Sequence, residues 1–291
     1  MPLQPVVTEV ERLLFRSDVA AAGAFRCSST HTLFNDSGPA SGHLLVFPRT
    51  STKLLFAGGR TVTATPALAI FYNEGQEYRR EKIDRTDSSD WFMVAPDVVR
   101  DVVARYDASA ADREDIFPFA SGRAGGRVYL RQRGIHQWLA SGAVVDPAVD
   151  PVVDRLDGDE AIVNLLDETV REAYGVKRGK PLTTRGERHE IAEQVKGIIA
   201  ARPAANPSLR SLAAAANCSP YSLCRIFRSE TGYTVTEFKH ALRLRIALSA
   251  LRHTRDLTEV ALALGYTSHS HFTLYFRRHF GITPSEYRNA A

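Results

Sequence analysis

The last hundred residues of this chain contain one pattern written twice. Leu223, Ile226, Phe227, Arg228 and Gly232 recur 49 residues later as Phe272, Tyr275, Phe276, Arg277 and Gly281. Upstream, Leu212-Ala213 recurs as Val260-Ala261 at an offset of 48, so the second copy carries one extra residue in its turn, Thr267-Ser268 against Ser219. In each copy, apolar residues at i, i+3 and i+4 mark one buried helix face and leave the opposite face free. Helix starts are signalled independently of that periodicity. Ser219 before Pro220 reads as a side-chain cap followed by a first-turn proline, and Asp256-x-x-Glu259, Thr234-x-x-Glu237 and Thr283-Pro-x-Glu286 follow the capping-box pattern. Asn217 and Gly265 stand where each first helix must turn through a left-handed conformation, which glycine adopts freely and asparagine next most readily. The expected fold here is all-α, with two helix-turn-helix units. Thr234 to Leu251, without a breaker, predicts one connecting helix of about 27 Å at 1.5 Å per residue. A connector of that length suits two reading helices set in successive major grooves, about 34 Å apart.

Charge points the same way. Residues 185–291 hold 15 Lys+Arg and 8 Asp+Glu, a net +7 inside a chain whose total is +4. The preceding 184 residues are therefore net acidic, and six of the nine histidines also fall in the basic part. A basic domain of this size is expected to bind a polyanion, because release of counterions from nucleic acid supplies most of the non-specific affinity. The free face of the first copy's second helix presents Tyr221, Cys224, Arg225 and Arg228, and that of the second copy presents His269, Ser270, Thr273, Leu274 and Arg277. In a helix-turn-helix this helix enters the major groove, so Arg225 is placed to pair bidentately with guanine and Thr273 or Leu274 to touch a thymine methyl. Arg228 and Arg277, a turn further along, are placed for phosphates.

The stretch from about Asn206 to Asn289 resembles the DNA-binding domain of the AraC/XylS family of bacterial regulators. The resemblance is carried by Ala261-Leu-Ala-Leu-Gly265-Tyr266, leading to Ser268-His-Ser-His-Phe272 and Phe276-Arg-Arg-His-Phe280-Gly281-Ile-Thr-Pro284-Ser-Glu-Tyr287-Arg288. It implies that both second helices contact DNA bases and that the chain activates promoters through contact with RNA polymerase. Asn217 and Cys218 stand where the family more often has glycine and an aromatic residue, and Leu274 where it often has a polar or basic one. Specificity is therefore expected to weigh toward the half-site met by the first copy.

The N-terminal half is of another kind. Short apolar runs, His43–Phe47, Lys53–Phe56, Arg60–Thr63, Leu68–Tyr72 and Trp91–Val94, are separated by Gly58-Gly59, Pro66, Asn73 and Gly75. This predicts a small β sandwich or barrel. Helices are expected near 97–105, 127–140, 158–174 and 187–201. The whole chain reads as α+β: a cupin-like β-barrel with flanking helices over 1–174, a linker over 175–186 and the DNA-binding domain over 187–291. Resemblance to the family's cupin-like domains is weaker and rests on order and position. It implies a small-molecule effector inside the barrel and a homodimer formed through the helices that follow. His43, Tyr72 and Trp91 are the candidate pocket residues. Arg127 and Arg131, which recur with Arg123 and Arg133 at near-helical spacing, are candidates for a carboxylate or phosphate on the effector.

Other chemistry finds little support. Three cysteines, Cys27, Cys218 and Cys224, form neither an even disulfide set nor a CxxC pair, which suits a reduced compartment. Cys27 and His31 lack the further ligands a metal site needs, and His31 and His43 do not make the His-x-His of a metal cupin, so no metal or cofactor is expected. No Ser/His/Asp order or glycine-rich phosphate loop indicates an enzyme. No apolar run of about 18 residues and no basic, apolar leader indicates membrane insertion or secretion, so a cytoplasmic protein is expected. The leading expectation is a transcription regulator bound to double-stranded promoter DNA. The alternatives are a cupin-type enzyme fused to a DNA-binding domain and an architectural binder without an effector.

Overall fold

The computed structural model describes residues 10–35, 39–142, 155–175 and 185–290, apart from 253 and 255. Most of the expected linker, 176–184, lies outside the described residues. The first half begins with β1 (Glu11–Arg16), β2 (Ala20–Ser28), β3 (Leu44–Pro48), β4 (Thr52–Phe56), β5 (Thr61–Ala64), β6 (Leu68–Tyr72), β7 (Tyr78–Lys82) and β8 (Thr86–Val94). Helix α1 (Pro96–Ala104), strand β9 (Ser121–Arg123), and helices α2 (Gly126–Gly142) and α3 (Arg155–Tyr174) follow. The second half is helical: α4 (Arg185–Ala201), α5 (Leu209–Ala215), α6 (Pro220–Thr231), α7 (Val235–Ala250), α8 (Leu257–Ala263), α9 (His269–Phe280) and α10 (Pro284–Ala290).

The strands do not close into the expected barrel. They form a six-stranded antiparallel sheet in the order β1-β2-β8-β3-β6-β9 and a separate three-stranded sheet, β5-β4-β7. A helix packs against one edge of each sheet. At β5, the Glu193 carboxylate of α4 accepts the Thr63 N–H, and His189 Nε2 meets Thr61 O at 2.5 Å. At β9, the last strand of the larger sheet, α3 packs close enough that a side chain on Gly122 would meet Ala173 Cβ at 2.7 Å. An edge strand whose polar groups are taken by a helix has no need of a ladder partner.

In the larger sheet, β1, β2 and β9 match none of the expected runs, and β8 matches only its last part. β2, AAAGAFRCS, has few of the residues strands favour, but its small side chains make room for a large neighbour. Gly23 pairs with Trp91, and a Cβ there would stand 2.4 Å from the indole and 2.5 Å from Arg12 O. β8 starts five residues before the expected run, through polar Thr86–Asp90. Its two aspartates face cations: Asp87 lies 2.9 Å from Arg80, and Asp90 lies 2.5 Å from Arg49 and 3.0 Å from His136 Nε2, while Gln132 Nε2 donates to its other oxygen at 2.5 Å.

The two halves share their cores. One cluster joins Phe15, Phe47, Phe92 and residues of α1 to α3 with Leu244, Leu248, Val260, Phe272, Phe276 and Phe280. The other joins Leu54, Phe56, Val62 and Ile70 with Val195, Leu212, Leu223, Phe227, Phe238 and Leu242. Helix α7 belongs to both, and residues 241–245 along it are all buried. Burial of each large side chain contributes about 1.5–3 kcal/mol, so the second half is not held to the first by a tether alone.

Candidate nucleic-acid interface

Each helix from α5 to α10 starts at a residue whose side chain caps it. Ser208 Oγ accepts from Ser211 N at 3.0 Å, Ser219 Oγ from Ser222 N at 3.1 Å, and Ser268 Oγ from His271 N at 3.1 Å. Thr234 and Glu237 form a reciprocal capping box at the start of α7, and Thr283 with Glu286 forms one at α10. The hydrogen bonds from Thr283 hold the Glu286 carboxyl below the usual range. At α8, Asp256 Oδ1 itself accepts both the Thr258 and Glu259 N–H groups, at 2.7 and 3.2 Å. Caps of this kind contribute about 1 kcal/mol each, which matters for α5 and α8, too short to be stable alone.

The two turns take the left-handed conformation the spacing demanded, with φ of 50° at Asn217 and 76° at Gly265. Gly265 meets a second constraint, because a Cβ there would lie 2.1 Å from Ala204 O. Both α6 and α9 end on a left-handed glycine, Gly232 and Gly281. Their apolar faces are buried through Leu223, Ile226 and Phe227 in α6 and through Phe272, Phe276 and Phe280 in α9.

The opposite faces are open. On α6, Tyr221, Cys224, Arg225 and Arg228 are all exposed, and the Arg225 guanidinium lies 5.7 Å from the Tyr221 ring centroid. On α9, Ser270, Leu274 and Arg277 are exposed, while His269 and Thr273 are half-buried beside one another, 3.4 Å apart. Tyr221 and Leu274 are among the most exposed large apolar side chains, at 68% and 65%. Exposed apolar side chains flanked by arginines suit base edges and thymine methyl groups.

The candidate effector residues separate. The register Leu44↔Tyr72, Leu44↔Met93 and Val46↔Trp91 puts Tyr72 and Trp91 on one face of the larger sheet, turned toward the smaller sheet's Phe56 and Tyr78. On that face Leu44, Val46 and Phe25 are only half-buried, and the Trp91 Nε1–H is buried without a hydrogen-bond acceptor among the described residues. His43 lies one residue out of step, against Phe117 at 6.1 Å, where burial lowers its pKa. Arg127 is exposed on α2, and Arg131 on the same face pairs with Glu168 of α3. Of the other two arginines in that series, Arg123 lies in β9 and Arg133 is buried 3.6 Å from Asp90. Cys27 is buried, which pushes its thiol up, and its Sγ lies 3.5 Å from Ser28 O.

Two buried residues that anchor α7 were not expected from the chain. Arg243 and Arg245, two apart on α7, are each 2% exposed. Arg243 donates to Pro203 O at 2.6 Å, Ala205 O at 2.8 Å, Asn206 Oδ1 at 3.1 Å and Gly265 O at 3.2 Å, tying the approach to α5 to the turn of the second unit. Arg245 points to the other half, to the carbonyls of Pro66 and Ala124. The available signal was an Arg-x-Arg inside a helix whose apolar residues run all the way round.

With capped helix pairs and open cationic faces in place, the class is a helix-turn-helix DNA-binding protein. A profile described as a helix-turn-helix domain matches residues 212–290. The regulator SoxS of Salmonella typhimurium is 42% identical over 72 residues, covering 24% of this chain and 67% of SoxS. The regulator RipA of Corynebacterium glutamicum is 35% identical over 96 residues, covering 33% of this chain and 29% of RipA. The chain belongs to the AraC/XylS family of transcription regulators. ToxT of Vibrio cholerae aligns over 94% of this chain and 98% of its own, at 12% identity and a TM-score of 0.35, a superposition too loose to argue from. The match covers less than a third of RipA's length. Among the described residues, no helix is long and apolar enough to cross a membrane.

Proposed function

We propose that this protein is an effector-responsive transcription regulator that reads promoter DNA with α6 and α9. The observation that carries the proposal is the pair of capped, left-handed-turn helix units that expose Tyr221, Cys224, Arg225 and Arg228 on one helix and His269, Ser270, Thr273, Leu274 and Arg277 on the other. Arg225 reads a guanine in the first half-site, and Arg228 and Arg277 bind phosphates. Residues 1–174 form the sensing and dimerising domain, joined through 175–186 to the DNA-binding domain over 187–291. The effector enters between the two sheets, against Tyr72, Trp91, Leu44 and Val46, with the Trp91 indole N–H supplying a hydrogen bond. The second chain of a dimer and RNA polymerase are the protein partners this reading assigns. It is an activator, held in the cytoplasm with the promoter.

The test is selection of random-sequence duplexes by the full chain, followed by sequencing. Two conserved blocks about one helical turn apart are expected, with the stronger sequence preference in the block that Arg225→Ala relaxes. Retention of duplexes without any shared sequence would overturn base reading and leave an architectural binder. Screening small molecules for a rise in melting temperature of the full chain tests the sensor, and Trp91→Phe should weaken the response to any ligand that raises it.

A further inference from the structure

One short stretch of the β-rich half touches three separate parts of the helical half. Arg123–Gly126 spans the junction of β9 and α2. The Arg123 guanidinium lies 4.7 Å from the Tyr233 ring centroid and donates to Gly232 O, the C-cap of α6, at 3.4 Å. Ala124 O accepts from Tyr233 Oη at 2.7 Å and from Arg245 Nη2 on α7. A Cβ on Gly126 would lie 2.0 Å from His279 O, in the last turn of α9. The end of the first reading helix, the connector and the end of the second reading helix thus converge on four residues. From behind, Gly125 donates its N–H to Glu172 of α3.

Arg245 is the main tie. Its guanidinium also donates to Pro66 O and lies 4.4 Å from the Tyr129 ring centroid, so a buried cation is held by carbonyl dipoles and an aromatic face of the other half. An apolar side chain of similar length would fill that space with less desolvation. What the guanidinium adds is direction, since its hydrogen bonds require carbonyls in set places.

We infer that Arg123–Gly126, with Arg245 and Tyr233, is a positioning element that sets the spacing between α6 and α9, and so the half-site spacing the protein accepts on DNA. The inference rests on α6 and α9 both reading DNA.

The experiment uses the full chain and a duplex selected by it from a random-sequence pool. Affinity is measured for that duplex, for derivatives with one base pair inserted or deleted between the half-sites, and for duplexes keeping a single half-site. The unaltered protein is expected to bind the changed spacings at least ~10-fold more weakly, since affinity falls by about tenfold for each 1.4 kcal/mol of misfit. Tyr233→Phe and Arg245→Lys should shrink that penalty to under ~3-fold by losing affinity for the original spacing, with single half-sites changed by less than ~2-fold. Gly126→Ala, which presses on α9, should shift the preferred spacing; if it does not fold, Tyr233→Phe carries the test by removing one hydroxyl. An unchanged spacing penalty in these variants, or equal loss on every duplex, overturns the inference while base reading stands. Failure of the unaltered protein to select any sequence overturns both.

Discussion

The two helix pairs of the C-terminal half have matching local chemistry and different surroundings. Unit one, α5 with α6, turns on Asn217 and buries Leu212, Leu223 and Phe227 in the cluster that contains α4 and the small sheet. Unit two, α8 with α9, turns on Gly265 and buries Val260, Phe272 and Phe276 in the cluster that contains α1 to α3. Asn217 is exposed and its backbone needs only a tolerant residue, whereas Gly265 is wedged against Ala204 O and held by Arg243. The repeat therefore sets the shape of each unit, but not how much each unit depends on its surroundings. Unit two also gathers the ionisable rings. His240 of α7 stacks on Tyr275 with centroids 3.9 Å apart, and His279 is buried near Arg245 and Arg123.

The sharpest break in the comparison should come from alanine at the two turns. Gly265→Ala is expected to destabilise by about 3 kcal/mol or more, since a left-handed Cβ and a clash with backbone coincide, against about 1 kcal/mol for Asn217→Ala. Urea unfolding of both variants measures the difference, and equal losses would mean that the Ala204 contact carries nothing. On DNA, Arg225→Ala should cost about 1–3 kcal/mol and relax preference in one half-site, while Leu274→Ala should cost under about 1 kcal/mol. Gel retardation on duplexes mutated one half-site at a time reads both, and a larger loss for Leu274→Ala would reverse the weighting between the units.

Acid should separate the units next. Burial, with nearby cations, lowers His240 to about 4 and His279 to about 3 from the ordinary 6.5. Burial likewise lowers His136, beside Asp90, to about 4. The unfolded chain takes up protons at higher pH than the folded one, so this stability is fully present above about 6.5 and is lost as pH falls toward 4. By pH 6 the loss reaches up to about 1 kcal/mol for each histidine. Hydrogen exchange at pH 7 and pH 5.5 should show α9 opening before α6; the reverse order would place the acid sensitivity elsewhere. The smallest effect is expected from Arg277→Ala, which should weaken all duplexes alike and lower the salt slope by about one ion, as Arg228→Ala should in unit one.

Much of the helical half could be read from the chain because its signals are local. Caps, turns and the i, i+3, i+4 faces act within one or two turns of helix, so Ser219-Pro220, Asn217 and Gly265 announce themselves without a partner. The β-rich half was legible only in outline. β2 looks unlike a strand because its alanines and Gly23 answer to Trp91, which is 68 residues away in the chain. The expected pocket set divided for a related reason: strand register puts Tyr72 and Trp91 on one face and His43 out of step with it, and register depends on pairing partners.

What the sequence by itself determined is therefore the two units, their turns, their caps and the side chains left open on α6 and α9, all consequences of short-range geometry. What only the tertiary structure decided is how those units are held. The same Arg-x-Arg on α7 sends Arg243 to the loop before α5 and Arg245 to the carbonyls of Pro66 and Ala124. Apolar residues all round α7 signal that these arginines are buried, but nothing local names their acceptors; their roles arise because helix packing removes water from both sides of α7 and leaves the carbonyls as their acceptors.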